Sequence, residues 1–329
     1  MENRNAHAPR RSVQGASRLQ VFLGRARSNP RWLMMDALSR FAFVRRAVRA
    51  LRPYVRLPAY DCCVSQFANV DVDGFVENLN RDGYCGGLQI PAANLNEILR
   101  RSAAALCYGD ADTRYGFRYA DKAAAQAAAQ RVFSQATYLF PDELQPVLDQ
   151  LARDPTLMAI AARYLNAPPV ITGSRMWWVF AAPEAQYNAS LTTSFFHYDK
   201  DDYSALRMFF YLTNVDEAHG AHVVARGSHV NKRLSQLVAL GERTDAQMLE
   251  YYGRDNLHTI CGPPGSGFAE DPFCFHKATR PTSGDRLMLE LKYAVRDYHI
   301  FPLPNRADAA SVLGSGVTPG AAAVMPGHS

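Results

Sequence analysis

The sequence predicts a mainly β protein with a helical annex: a jelly-roll core, a double-stranded β-helix over 168–298, wrapped by N-terminal helices from 70–165. Three observations predict it. Residue texture changes near Pro168, from helix-forming runs to segments rich in Val, Ile, Phe, Tyr and Trp. The later segments are short and punctuated by Gly and Pro, as in sandwiches and jelly rolls. A hydrophobic share of 48% against a charged share of 20% is that of a soluble globular chain with a core to bury.

The elements follow in order. Residues 1–30 carry Arg, Ser, Gly and Asn without periodicity and read as a disordered basic arm. Residues 31–60 read as a basic amphipathic helix region. Within it Phe41, Val44, Ala47, Val48 and Leu51 share a helical face opposite Arg45, Arg46, Arg49 and Arg52, and Pro53 stops the helix. Over 70–165, Asp73 and Pro91 sit near helix starts, Asp121 precedes an Ala-rich run, and Asp154-Pro155 opens a helix to Tyr164. The stretch 83–91 reads as a turn and a short strand. Strands are expected at 170–182, 194–197, 206–214, 222–224, 258–261, 273–276 and 286–295, with helices at 232–240 and 245–252. The catalytic domain is drawn at 61–300, and 301–329, rich in Ala, Gly and Pro, as a flexible tail.

Charge is split along the chain. Residues 1–60 hold 13 Arg and no Lys against Glu2 and Asp36, a balance of +11; with +5 for the whole chain, the remainder carries −6. Such an arm suits an anionic partner, and residues 30–56 are a candidate for peripheral membrane contact. The alternative is that the apolar helix face docks on the body and the arginines face water. No apolar run can span a bilayer, and the N-terminus lacks an apolar signal segment. Six cysteines without a CxxC pair read as reduced thiols of a cytoplasmic protein.

The chemistry concentrates in four motifs. In His197-Tyr198-Asp199, extended backbone sends residues two apart to the same face. An imidazole and a carboxylate then converge, and one more His completes a 2-His-1-carboxylate set with open metal positions. The second motif is His276, within Phe273-Cys274-Phe275-His276; taken alone, a hydrogen-bonded core histidine is the favoured reading. Arg286 opens the third, Arg286-Leu287-Met288-Leu289-Glu290-Leu291. A cation on an apolar strand needs an anion, because burying it unpaired is costly, and a guanidinium fits a carboxylate through two hydrogen bonds; the alternative is an ion pair with an Asp or Glu of the chain, or exposure at the strand's edge. The fourth is Tyr211-Leu212-Thr213-Asn214-Val215-Asp216, followed by Gly227-Ser228-His229, a hairpin that supports the site.

Together, in this order, these motifs resemble the phytanoyl-CoA dioxygenase family of Fe(II)/2-oxoglutarate oxygenases, as does Asp82-Gly83-Tyr84 through Leu88-Gln89-Ile90-Pro91. The resemblance spans about residues 70–298. It departs at Arg226, where the family usually has Pro before its Gly-Ser-His turn, and residues 1–60 have no counterpart. It implies iron(II) on His197, Asp199 and His276, with 2-oxoglutarate as co-substrate and O2 as oxidant. Arg286 would hold the far carboxylate, with Thr279 and Tyr211 beside the co-substrate. Two neutral imidazoles and one carboxylate leave a divalent ion at net +1, which favours an anionic keto acid. The expected outcome is hydroxylation of a small or lipid-linked metabolite, with release of succinate and CO2. Asp199 separates this pattern from halogenases, which lack the carboxylate. Trp178, Lys200 and Tyr203 are assigned to substrate; of the pair Trp177 and Trp178, one faces the pocket. The competing reading is a jelly-roll metal protein without oxygenase activity, a cupin-like isomerase or a sugar-binding module, which has no need of an anion clamp. No nucleic-acid partner is expected, because basic and aromatic residues do not interleave.

Overall fold

Beyond Pro168 the chain is mostly antiparallel sheet with intervening helices. The computed structural model describes residue 27 and residues 29–139, 144–238 and 243–299. The arm expected at 1–30 falls almost wholly outside the described residues, and the tail at 301–329 wholly outside. The strands are β1 Tyr84–Gln89, β2 Cys107–Gly109, β3 Gly116–Phe117, β4 Gln135–Thr137, β5 Val170–Val179, β6 Ala205–Tyr211, β7 His222–Ala225, β8 Leu257–Ile260, β9 Ser266–Glu270, β10 His276–Ala278 and β11 Arg286–Ala294. They form an eight-stranded sheet, β1-β9-β6-β11-β5-β4-β2-β3, and a three-stranded one, β10-β7-β8.

The larger sheet works as a partition. On β11, Leu287, Leu289 and Leu291 belong to the main core, packed with Met176 and Trp178 of β5 and Met208 and Phe210 of β6. Helices Val72–Asp82, Ala92–Ala104, Gln145–Ala152 and Pro155–Leu165 complete that core with Leu79, Ile98, Leu148 and Ile160. The intervening residues of β11, namely Arg286, Met288, Glu290 and Lys292, line a cavity on the opposite face. Period-two alternation alone separates the two sets. His222, His276 and Ala278 of the smaller sheet close the cavity from the other side.

Local chemistry sets the helix starts. Asp154 caps the helix Pro155–Leu165 by accepting from Thr156 N at 2.9 Å, as its sequence position predicts. Thr244 and Gln247 form a capping box on Asp245–Tyr252. Several expectations need correction. The region read as helical also yields β2, β3 and β4, runs of two or three residues too short to show a period. Strand β9 was not expected. The segment 194–197 forms isolated bridges rather than a strand, and the strand expected at 273–276 begins at its last residue.

The N-terminal helix region docks on the body partly through arginines that the sequence places opposite its apolar face. A first helix, Pro30–Leu38, is capped by the Asn29 side chain, which accepts from Trp32 N. The second is Ala42–Ala50. One of its arginines turns inward: Arg45 is buried, lies 3.9 Å over the Phe273 ring, and donates to Ser39 O and His229 O, while Arg46 stays exposed. Arg52 donates to Leu165 O and Ser204 Oγ. Phe43 and Leu51 are 70% and 83% exposed. Body carbonyls offer the guanidinium a better partner than the apolar stripe offers the body. Two of the four arginines in the stripe, Arg45 and Arg52, are thus engaged with the protein itself. Among the described residues no helix is long and apolar enough to cross a membrane.

This docking predicts unequal substitutions. Arg45→Ala strands two carbonyls and loses a cation–π contact, and should cost about 2–3 kcal/mol. Exposed Arg46→Ala should stay within about 0.5 kcal/mol. Urea unfolding of both variants checks this; equal midpoints would contradict the inward orientation.

Candidate metal centre

His197 and His276 meet across an antiparallel bridge. His197 N donates to His276 O at 3.0 Å and His276 N to His197 O at 2.8 Å, which brings the ring centroids to 4.4 Å. Asp199, two residues on in the extended segment, anchors its own N–H on Pro272 O. Both rings use the same local device: His197 Nδ1 donates to Phe195 O and His276 Nδ1 to Cys274 O, each at 3.0 Å. These bonds assign the Nδ1–H tautomer and leave both Nε2 atoms free as ligands. The two Nε2 atoms stand 3.9 and 3.5 Å from Asp199 Oδ2. Ligand atoms bound at about 2.1 Å to one ion lie about 3–4 Å apart, so the set fits a metal with small adjustments. Among the described residues, this is the group of His, Cys, Asp and Glu side chains whose ligand atoms converge in this way.

Buried charges organise the three ligands. Arg207 Nη1 pairs with Asp199 Oδ2 at 2.6 Å and with Glu290 Oε1 at 3.1 Å. The same guanidinium holds Asp201 bidentately at 2.8 Å. Burial opposes ionisation of Asp199, yet Arg207 and then His276 outweigh it and keep the carboxyl well below its usual range. Behind His276 stands Glu270. Its Oε1 lies 2.6 Å from His276 Nδ1, a charge contact beside the hydrogen bond to Cys274, and its Oε2 lies 2.7 Å from His222 Nε2. Burial alone would push Glu270 up, but the two imidazoles hold it down at about 2. Burial likewise works against charge on His276, yet Glu270 and Asp199 raise it to about 10 in the metal-free protein. Burial and neighbouring His276 lower His197 to about 4, so it is neutral at pH 7.

Arg286 is 1% exposed and lines the same cavity of about 160 Å³. Its Nη1 donates to Gly220 O. Gly220 has φ +80°, and a Cβ there would come 2.7 Å from the Pro281 ring, so the turn that offers this carbonyl favours glycine. Arg286 Nε has no hydrogen-bond partner, and among the described residues no ion pair to Arg286 occurs.

The other assigned residues lie elsewhere. Trp178 is a correction: it packs in the core, 3.7 Å from the Tyr119 ring, with its indole N–H on Tyr138 Oη. Strand parity decides this, for Trp178 pairs across from Leu287 while Trp177 pairs across from Met288. Trp177 therefore faces the cavity. Lys200 and Tyr203 are corrected too. Lys200 pairs with Asp36 at 2.6 Å, and Tyr203 lines a separate cleft of about 590 Å³ with Asn29, Met34 and Arg296. Both serve the N-terminal helices rather than the cavity. Asp202 accepts from Val295 N and Arg296 N. Tyr211 donates to Ile260 O and accepts from His222 N, so its hydroxyl pins the two sheets together. Thr279 is engaged with Ala221 O through both N–H and hydroxyl. Neither lines the cavity. Arg207, His222, Glu270, Glu290 and Arg175 were missed. The rule that singled out Arg286, a charge on an apolar strand, applies equally to Arg175, Arg207 and Glu290.

No protein-family model matches the chain, and no curated protein matches it. Among solved structures it is similar to AviO1 from Streptomyces viridochromogenes Tue57, at 14% identity over 68% of this chain and 95% of that one, with a TM-score of 0.45. It is also similar to the epimerase SnoN from nogalamycin biosynthesis in complex with Fe3+, alpha ketoglutarate and nogalamycin RO, at 16% identity, 71% and 89% coverage and a TM-score of 0.48. A third is HygX from Streptomyces hygroscopicus with nickel, 2-oxoglutarate and hygromycin B bound, at 15% identity, 67% and 86% coverage and a TM-score of 0.46.

The charge pattern makes metal binding proton-linked. At pH 7.5 His276 carries a second proton in the metal-free protein, because its value of about 10 lies above that pH. A metal at Nε2 must displace it, while neutral His197 releases none. About one proton should leave per ion, and affinity should fall about tenfold per unit as pH drops below 8. Calorimetry in two buffers of different ionisation enthalpy measures this. Glu270→Gln should shrink the release; no release in the wild type would contradict the charge on His276.

Proposed function

We propose that this chain is an Fe(II)- and 2-oxoglutarate-dependent oxygenase of the phytanoyl-CoA dioxygenase type, with the two sheets as the faces of a double-stranded β-helix. The observation that carries the reading is Arg286: a buried guanidinium with no acid partner, in the cavity that also holds His197, Asp199 and His276. A fixed cation beside a metal set calls for a ligand with an anionic far end. A cupin-like isomerase or a sugar-binding module gives no reason for that cation.

His197, Asp199 and His276 would hold the iron and leave positions open. Arg207 keeps Asp199 ionised and aimed, and Glu270 steadies His276 and His222. Arg286 takes the distal carboxylate of 2-oxoglutarate. Phe209 and Met288, on the cavity lining, give its carbon chain an apolar wall. Bound iron supplies dioxygen activation coupled to decarboxylation of 2-oxoglutarate to succinate and CO2, which drives substrate oxidation. Hydroxylation of a small metabolite is the outcome we assign. Peripheral membrane contact forms no part of the proposal, because Arg45 and Arg52 of the stripe that suggested it hold body carbonyls.

Arg286→Ala should spare metal content and raise the KM for 2-oxoglutarate. The lost charge-assisted contact is worth about 2–4 kcal/mol, roughly thirtyfold or more in KM. Succinate formation across a metabolite panel supplies the assay. An unchanged KM would remove Arg286 from the co-substrate site. Arg280 is no substitute, since it is engaged with Ala182 O and Glu184.

A further inference from the structure

The inner face of the larger sheet has a second cation without an acid of its own. Arg175 lines the cavity, and its guanidinium carbon lies 4.4 Å over the Trp177 ring. Its polar contact is Gln135 Oε1 at 3.4 Å. Among the described residues no carboxylate forms an ion pair with it. Glu290 stands directly across on β11, but Glu290 already pairs with Arg207 at 3.1 Å and Lys292 at 3.5 Å.

Charge counting sharpens the point. Arg175, Arg207 and Lys292 line this end of the cavity with Asp199 and Glu290, and Asp201 pairs with Arg207. Arg207 is matched by Asp199, Asp201 and Glu290, and Lys292 pairs with Glu290, whereas Arg175 has no ion pair among the described residues. Arg286 does not share its role, because Arg286 lies opposite Val179 on β5, four residues from Arg175. That is roughly 13 Å along the strand, whereas the end carboxyls of a five-carbon diacid stand about 5–6 Å apart.

We propose that Arg175, backed by Trp177, binds an oxyanion of the substrate, a carboxylate or a phosphate, within the cavity that holds the metal ligands. The substrate class is therefore anionic, and the inference rests on the oxygenase reading for its consequence in turnover. The guanidinium matches either oxyanion with a hydrogen-bonding fork. The indole behind it supplies an apolar wall and a cation–π hold.

The test uses full-length protein loaded with nickel(II) and 2-oxoglutarate, which does not turn over. Tryptophan emission is followed during separate titrations with acetate and inorganic phosphate, with Trp177→Phe to assign the signal. A saturable change with either anion is expected, and which anion responds tells carboxylate from phosphoryl substrates. Arg175→Gln should weaken the response about tenfold or more while leaving 2-oxoglutarate affinity unchanged. Arg175→Lys, which keeps the charge and loses the fork, should fall between and covers the case of a misfolded Gln variant. The proposal is overturned by no saturable response, by an equal response in Arg175→Gln, or by a loss of 2-oxoglutarate affinity there matching that of Arg286→Ala. If the anion response persists but 2-oxoglutarate binds to no form of the protein, the oxygenase reading fails and the Arg175 site stands.

Discussion

The site depends on one buried guanidinium. Arg207 sits on β6 and holds Asp199, Asp201 and Glu290 at once. Without it, three carboxylates would face one another in a poorly solvated space, and at least one would take up a proton. With it, Asp199 stays ionised and aimed at the two imidazoles. The same contacts tie β6 to β11 and to the loop after His197, so Asp199 is positioned by the sheet rather than by loop sampling. Such a hub is stable only when complete, because removing one partner leaves a charge buried and unpaired.

Strand alternation then divides labour across the sheet. One face of β11 gives leucines to the core, and the other presents Arg286, Met288, Glu290 and Lys292 to the cavity. The cavity face is itself graded. Charged residues gather near Arg207, Arg175 and Lys292, while Phe209 and Met288 of the lining pack with Tyr211 and Phe268 in an apolar cluster next to Arg286 on the strand. Arg286 is therefore a cation at the end of an apolar wall. From β9 of the larger sheet, Glu270 reaches both His276 and His222 of the smaller one, so the His276 ring is held in place.

Much of this was legible in the residues. The texture change near Pro168 announced the sheets, and Asp154-Pro155 announced its helix. The spacing of His197 and Asp199 was readable because extended backbone fixes which side chains converge. The choice between Trp177 and Trp178 was not, since it depends on which residue of β11 each faces, and register is a long-range property. The arginine stripe at 45–52 misled for a related reason: helical periodicity shows that two faces differ, not which one the body accepts. Glu270 gave no local signal. It lies on a five-residue strand whose partners, His222 and His276, are 48 and 6 residues away, and only the fold brings them together.

The central claim is that one cavity holds a divalent iron on His197, Asp199 and His276 with a keto acid chelating it. The most direct measurement is anaerobic absorption spectroscopy of the purified protein with Fe(II) and 2-oxoglutarate. A keto acid chelated to ferrous iron gives a visible charge-transfer band, whereas ferrous iron and the acid bound apart give none. The account predicts that the band develops and saturates in the wild-type protein and is absent in His276→Ala. A wild-type protein without the band at saturating 2-oxoglutarate, or an undiminished band in His276→Ala, would contradict it.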